Sequence, residues 1–414
     1  MVDTTGRFQP YPGRTKIDFV IIEKSEGSTD VTNLFVEFNI YASIVDPTAI
    51  GKVSLMDATN LLSNLPIETG DVLKVGVSFY DIKKEYRFRI SSIEDIANFD
   101  HQKAYTLTCV SELAYASYHN KISRSFSGLT SDIAKSIYDQ YTFEEIGLWD
   151  NSISHQNVVI PNWSPMRTLM WLAERSEANF DHVRFKFYQD TNLRYNFMPI
   201  EQAVQLYRDS PPITYTYNKN ANYIRKADES IPNSKAVNEA ILSLEFANSF
   251  NLAETLKNGR LTGRVHAIDI NKKQMSTTNY NYWQDFNSKQ HLNEMPQWRY
   301  DEYQPGKIDI HHEPTDTTSF GGTNNRSDYS HMKETIVDNT QKINIVVGGN
   351  SVVDIGQVVN IVIPSAEPLS DSMRGKEDLR WSGKYFVIAK RDMFDKIGMQ
   401  IALTLAKDSR QVGG

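Results

Sequence analysis

The chain has 414 residues, too many for one compact core and suited to roughly two to four domains. Its apolar (40%), aromatic (11%) and charged (23%) fractions exclude a wholly disordered chain and a collagen-like or coiled-coil fibre. The 44 basic residues are scattered among 51 acidic ones, for a net charge of −7, which disfavours a protein that grips nucleic-acid phosphates.

No stretch approaches the roughly 20 continuous apolar residues of a membrane helix, so no membrane segment is expected. The opening Met-Val-Asp-Thr-Thr-Gly-Arg-Phe lacks a basic-then-apolar secretory pattern. The single cysteine, Cys109, forbids an intramolecular disulfide and a cysteine-built metal site. Synthesis in a reducing cytoplasm is expected.

Residues 1–16, with Pro10, Pro12 and Gly13 around Phe8 and Tyr11, read as an extended arm. It is either a frayed terminus or an aromatic arm that docks on a neighbouring chain. Residues 17–112 read as strands. Leu34, Val36, Phe38 and Ile40 alternate with Phe35, Glu37, Asn39 and Tyr41, and the segments around Val75, Phe88 and Leu107 repeat the period of two. Residues 57–65 form a short helical turn with Asp57 as a candidate cap. Short strands at this spacing predict a small antiparallel barrel, with Cys109 a buried hydrophobe on an inward face.

Residues 113–208 read as a mixed α+β domain. Ile133, Ile137 and Tyr141 give a helix that starts at Thr130 or Ser131. Ser164 followed by Pro165 marks the start of a second helix. The run Phe185 to Phe197, turning at Asp190-Thr191-Asn192, predicts a hairpin. Strand patterns return over 209–250, and 341–408 closes with alternating Met399, Ile401, Leu403 and Leu405. Between them, 251–340 has a candidate strand at Val265–Ile270 but is too polar to expect a tight core of its own, so most of it reads as surface excursions associated with the mixed domain.

The closing strands resemble the opening ones in order. Gly70-Asp-Val-Leu matches Gly356-Gln-Val-Val; Tyr86-Arg-Phe-Arg-Ile before Glu94-Asp95 matches Tyr385-Phe-Val-Ile-Ala before Arg391-Asp392; and Ala104 to Cys109 matches Gln400 to Leu405. The expected fold class is therefore α+β, mainly β: two similar tube-like barrels, 17–112 and 209–250 with 341–408, plus the mixed domain. Three such chains in a ring would present six similar surfaces.

With these features in order, the chain resembles the hub proteins of contractile-tail phage baseplates and the first part of type VI secretion spike proteins. The resemblance is carried by the two barrel-like regions and by Ile160-Pro-Asn-Trp-Ser-Pro-Met-Arg-Thr-Leu opening a helix. Gly263-Arg-Val-His-Ala-Ile-Asp-Ile followed by Tyr280, Tyr282, Trp283 and Phe286, and the closing Gly383-Lys-Tyr-Phe-Val-Ile-Ala, complete it. It implies a structural protein of the virion tail, made in the bacterial host cytoplasm. In that role a homotrimer adapts a six-fold tail-tube ring to a three-fold central spike, contacts wedge or other tail proteins, and lets DNA pass without specific binding. The chain ends at Gly414 without a repetitive β-helix, so a fused spike is not expected.

The chemistry sought in the sequence is sparse. Glu144-Glu145 and Asp301-Glu302 are adjacent acidic pairs of the kind found on solvated faces, and neither establishes the carboxylate spacing of a glycosidase. His311-His312-Glu313, with Asp316 and His331, is the densest candidate for a metal, but Pro314 breaks the helix that a zinc-protease pattern needs. No phosphate loop and no nucleophile elbow is present. Neither catalysis nor a cofactor is expected; the alternatives are a tail-associated cell-wall hydrolase and a glycan-binding tail protein. Trp163 and Trp171 either pack their own helix or anchor a subunit contact.

Overall fold

The computed structural model describes residues 15–25, 27–59, 61–64, 67–79, 82–99, 102–178, 185–209, 211, 213–217, 239–248, 252–270, 273–288, 291–299, 304–312, 341–349, 353–365, 377–396 and 398–411. Phe8, Tyr11, Glu313, Asp316, His331 and the Asp301-Glu302 pair lie outside them.

The first sheet region comprises β1 (Thr15–Lys24), β2 (Gly27–Asp30), β3 (Phe35–Ser43), β4 (Ile50–Asp57), α1 (Leu61–Asn64), β5 (Val72–Phe79), β6 (Ile82–Phe99) and β7 (Gln102–Val110). Asp57 caps α1 as expected, accepting from the Leu61 amide at 2.6 Å. The alternation read across 34–41 breaks once. A bulge between Phe35 and Glu37 in the β3–β4 ladder brings Phe35 into the core and leaves Val36 at the surface. Cys109 is fully buried, and burial pushes its thiol pKa up.

The mixed region follows as α2 (Glu112–His119), β8 (Ile122–Leu129), α3 (Thr130–Tyr141), β9 (Ile146–Trp149), β10 (His155–Trp163), α4 (Pro165–Glu174), β11 (Phe185–Gln189), β12 (Tyr195–Pro199) and α5 (Ile200–Tyr207). Ser164 caps α4 with Pro165 in its first turn, as the sequence indicates. Helix α3 starts at Thr130, as the sequence indicates; Leu129 precedes it without a side-chain cap, and the Ser131 amide donates to Ser152 Oγ at 2.9 Å. Ile133, Ile137, Leu169 and Leu172 fill a core with Phe185, Phe187 and Phe197.

Then come β13 (Thr214–Tyr217), β14 (Ala240–Asn248), α6 (Leu252–Lys257), β15 (Thr262–Asp269), β16 (Gln274–Asn281), β17 (Met295–Pro296) and β18 (Lys307–His312). The chain closes with β19 (Gln341–Gly348), β20 (Val358–Val362), β21 (Gly383–Asp395), β22 (Met399–Lys407) and β23 (Ser409–Arg410). The polar stretch between β14 and β19 is more ordered than its composition suggests. It has a three-stranded sheet, β16-β15-β18, over a small core of Leu261, Val265, Tyr280, Tyr282, Phe286 and Trp298. Aromatic rings supply there the buried area that aliphatic residues lack. Tyr282 ties this core to the barrel by donating to the Asp408 carbonyl at 2.6 Å.

Thirteen strands form one sheet in the order β2-β1-β5-β6-β7-β4-β3-β21-β20-β13-β14-β19-β22, and an additional β21–β22 pairing closes its last six strands into a barrel. The two halves share strand order: β1-β5-β6-β7-β4-β3 corresponds to β13-β20-β21-β22-β19-β14. They differ in that β13 runs parallel to both its neighbours, whereas β1 is antiparallel to β5. They differ also in closure: β14 pairs with β13, but among the described residues β3 does not pair with β1, so the barrel expected over 17–112 is an open sheet.

The correspondence extends to hydrogen bonds. The Gly70 amide donates to Ile90 O (2.8 Å) and the Ile90 amide to Asp71 O (2.9 Å); Gly356 and Val387 repeat this at 3.0 Å with Gln357 O completing it at 2.9 Å. Both glycines have positive φ, +100° and +83°, as L side chains rarely do. Both β6 and β21 then bulge at the equivalent place, between Ile90 and Ser92 and between Val387 and Ala389. The matches at Gly356, Arg391-Asp392 and Gln400–Leu405 hold in this register, but Tyr385 corresponds to Phe88 rather than to Tyr86. Tyr385 pairs with Val359 as Phe88 pairs with Leu73.

Candidate functional site

The two halves meet along one seam. Strand β3 pairs antiparallel with β21 over Ser43↔Ala389 to Glu37↔Asp395. Alternation then sorts the residues of both strands into two faces.

On the inner face, Phe38 stacks on Phe394 (5.5 Å between centroids) and meets Tyr86 edge-on at 5.5 Å. Two residues nearer the seam's other end, the same face of β21 carries Asp392 and Lys390, 2% and 4% exposed. Into this position the β11–β12 hairpin of the mixed region inserts its turn. Lys390 Nζ donates to Thr191 Oγ1 at 2.7 Å and lies 3.2 Å from Asp392 Oδ2. Asp354 accepts from the Thr191 amide (3.2 Å), from Asn192 Nδ2 (2.5 Å) and from the Ile355 amide (2.8 Å). Lys84 of β6 reaches Asn192 Oδ1, and Arg194 holds Asp190 at 2.9 Å.

Three carboxylates and three cations thus interlock the first sheet region, the closed barrel and the mixed region. Burial drives Lys84 down to about 8 and Asp190 up to about 6, the latter helped by the neighbouring Asp354 carboxylate. Burial acts to lower Lys390 too, but the Asp392 and Asp354 carboxylates more than reverse it, so Lys390 keeps its charge. One oxygen of Asp392 has no hydrogen-bond partner. Such a knot specifies position more than it adds stability, since desolvation offsets most of the attraction.

On the outer face the seam is polar. Lys52 Nζ donates to Glu94 (3.0 Å), and Ser54 lies 3.2 Å from Thr106 Oγ1. Arg391 donates to Asn39 Oδ1 from Nε (3.2 Å) and Nη2 (3.1 Å) and lies over the Tyr41 ring at 4.9 Å. Asn344 donates to Glu245 at 3.3 Å. A groove of about 530 Å³ crosses this face, lined by residues including Tyr41, Ser43, Ser243, Glu245, Asn344 and Thr404. Both cations named here, Lys52 and Arg391, are held by neighbours.

Each half also presses its glycine turn against a tyrosine of the mixed region. A Cβ on Gly70 would strike the Tyr115 hydroxyl, and one on Gly356 the Tyr188 hydroxyl. The duplicated turns are thus docked twice on one intervening domain.

Trp163, the last residue of β10, lies against Trp171 of α4. A bulge at Pro161/Trp163, with Asn162 at φ +57°, ends the β8–β10 ladder beside the helix. Arg167 and Trp171, four apart on α4, share one helix face, with Trp163 meeting them from the end of β10 and Arg175 from the helix C-cap. Arg167 lies over Trp163 at 4.5 Å, Trp163 meets Trp171 edge-on at 5.7 Å, and Arg175 lies over Trp171 at 4.0 Å. Both indoles are half-buried, touching the core of the mixed region while bordering solvent.

Glu144 turns inward. It accepts from the Glu112 (3.2 Å) and Leu113 (3.1 Å) amides and from Thr142 Oγ1 (3.1 Å), capping α2, and burial raises its pKa. It is a structural cap, with Glu145 exposed beside it. Among the described residues no group of three His, Cys, Asp or Glu side chains is placed to hold a metal, and no helix is long and apolar enough to cross a membrane. The inward Lys390 and Asp392 were not legible as a site. Their one signal is a Lys-x-Asp interrupting an otherwise apolar strand face.

No protein-family model matches the chain, and no curated protein matches it. Among solved structures it is similar to a tail protein from Neisseria meningitidis, at 10% identity and a TM-score of 0.53, over 94% of this chain and 96% of that one. It is likewise similar to the 43 kDa tail protein of prophage MuSo2 from Shewanella oneidensis, at 10% identity and a TM-score of 0.55, over 95% and 99% of the two chains. The likeness is one of fold and runs nearly end to end. The resemblance to tail proteins read from the sequence is borne out at that level.

Proposed function

We propose that this chain is the baseplate hub of a phage tail, a homotrimeric adaptor between a six-fold tube ring and a three-fold central spike, with a passage for DNA at its centre. The observation that carries it is the internal duplication. Two units of equal strand order, with the same glycine turn and the same bulge, are fused edge to edge through β3 and β21. Three copies in a ring give six like surfaces, which is what a six-fold neighbour requires of a three-fold part.

In this arrangement the outer face of the seam lines the passage. Its Lys52 and Arg391 are paired and its rim is largely polar, so DNA slides past without adhering. The ionic knot fixes the angle between the two halves, and therefore the shape of the ring. On this proposal 17–112 and 209–250 with 341–408 are the tube-like units, 113–208 is the mixed domain, and 251–340 is an inserted segment. The half-buried Trp163–Trp171 pair is a subunit contact, and the aromatic arm bearing Phe8 and Tyr11 is a second. The role is structural and uses no catalytic group.

Light scattering of the purified protein, alone and with a candidate tube or spike protein of the same phage, tests this. A trimer, or a trimer formed on adding either partner, is expected. A protein that stays monomeric in both mixtures refutes the assignment, as does clearing of peptidoglycan lost on mutating Glu144 or Glu145.

A further inference from the structure

A closed ring of identical subunits uses two unlike patches on each subunit, one meeting the other on the next copy. Resting on the ring proposed above, we infer that the Trp–Arg ladder along α4 receives the tip of the β6–β7 hairpin from a second copy of this chain.

The tips of the two corresponding hairpins are paired differently. The ladder of β21 with β22 stops at Phe394↔Met399, whereas β6 continues to Phe99↔Gln102. Between Glu94 and Ala97 a second bulge sets Asp95 and Ile96 against the single residue Tyr105, with Asp95 at φ +54°. Bulges of this kind re-aim side chains. The result is an exposed tip with Ile96 58% and Phe99 60% accessible beside the Asp95 carboxylate.

The ladder offers the complementary chemistry. Trp and Arg are the residues most enriched at the energetic centres of protein contacts. Arg167 is exposed and Trp163 and Trp171 are half-buried, with Met170 also 37% accessible on the helix. An apolar, acidic tip can set Phe99 and Ile96 against the indoles and Asp95 against a guanidinium.

The two patches cannot meet within one chain. They lie at opposite ends of β7: the tip precedes Gln102, whereas α2, which packs on α4, begins just after Val110. Nine strand residues span about 27 Å, and the hairpin is paired along its length. Only a second copy can supply the tip.

The test is a cysteine pair, Phe99→Cys with Arg167→Cys, in the full chain; native Cys109 is buried and stays out of the reaction. Mild oxidation of the double variant is expected to give interchain disulfides up to the full ring, with neither single variant doing so. Charge reversal gives a second measure: Asp95→Arg or Arg167→Asp weakens self-association at least tenfold, and the two together restore it. If the protein is oligomeric by light scattering yet the double variant does not cross-link and the reversals change nothing, this contact is refuted and the ring stands. If the protein is monomeric alone and with its partners, both fall.

Discussion

Replacing Lys390 by methionine keeps most of the side-chain volume while removing a charge held 3.2 Å from Asp392 Oδ2 and donating at 2.7 Å to Thr191. With an effective dielectric of about 20, two unit charges at that separation attract by about 5 kcal/mol. Most of this offsets desolvation in the native protein, but the variant leaves Asp392 buried, already short of one partner, with no cation beside it. Breaking one side of a buried pair costs about 3–5 kcal/mol, and that is the expected loss for Lys390→Met at pH 8. The double variant Lys390→Met with Asp392→Leu removes both charges and should recover at least half of it. Lowering the pH should also help the single variant. Its orphaned carboxyl has a raised folded-state pKa, so the folded form binds the proton more tightly and gains stability as pH falls. The assay is urea unfolding at pH 8 and pH 5, with hydrogen exchange at Thr191 and Asn192 reporting local release of the hairpin. A single-variant cost below about 1 kcal/mol, or a double variant as unstable as the sum of the two singles, would refute the view that these charges lock the seam.

The duplicated glycine turns give a paired expectation. Gly70→Ala and Gly356→Ala should each lose about 1–3 kcal/mol in thermal unfolding, because both force a Cβ into positive-φ backbone against a tyrosine hydroxyl; a neutral result at only one would break the equivalence of the turns. Lys407 is buried, with Nζ donating to the carbonyls of Arg380 (2.7 Å) and Ser382 (2.9 Å), and burial drives it down to about 7. Below pH 7 it is charged in both states and carries its full burial penalty, which fades as pH rises from 7 toward 10.5. The melting temperature of Lys407→Met relative to the native chain should therefore fall between pH 7 and pH 9.5. Cys109 should resist a thiol-reactive dye in the folded protein and label at once in denaturant; fast native labelling would show that its sheet opens.

Local elements and the repeat were legible in the residues alone. Period-two runs such as Met399 to Leu405, the Ser164-Pro165 helix start and the Asp190-Thr191-Asn192 turn are written in neighbouring residues, because backbone propensity and side-chain alternation act over a few positions. The likeness of Gly70-Asp-Val to Gly356-Gln-Val is a property of the string and survives in the fold. Its limits are visible as well: a bulge shifts Phe35 inward, and the Tyr86–Tyr385 match fails by two residues, since one extra residue in a strand reverses its faces without altering composition. Only the tertiary structure decided which edges meet. The β3–β21 seam joins residues about 350 positions apart, and the β20–β21 ladder with the inserted 190–194 turn makes Lys390, Asp392 and Asp354 neighbours. It also decided that a polar insertion has an aromatic core and that Glu144 is a cap. Long-range pairing depends on how whole faces fit, and that information is spread over residues which, taken one at a time, read as ordinary lysines and aspartates.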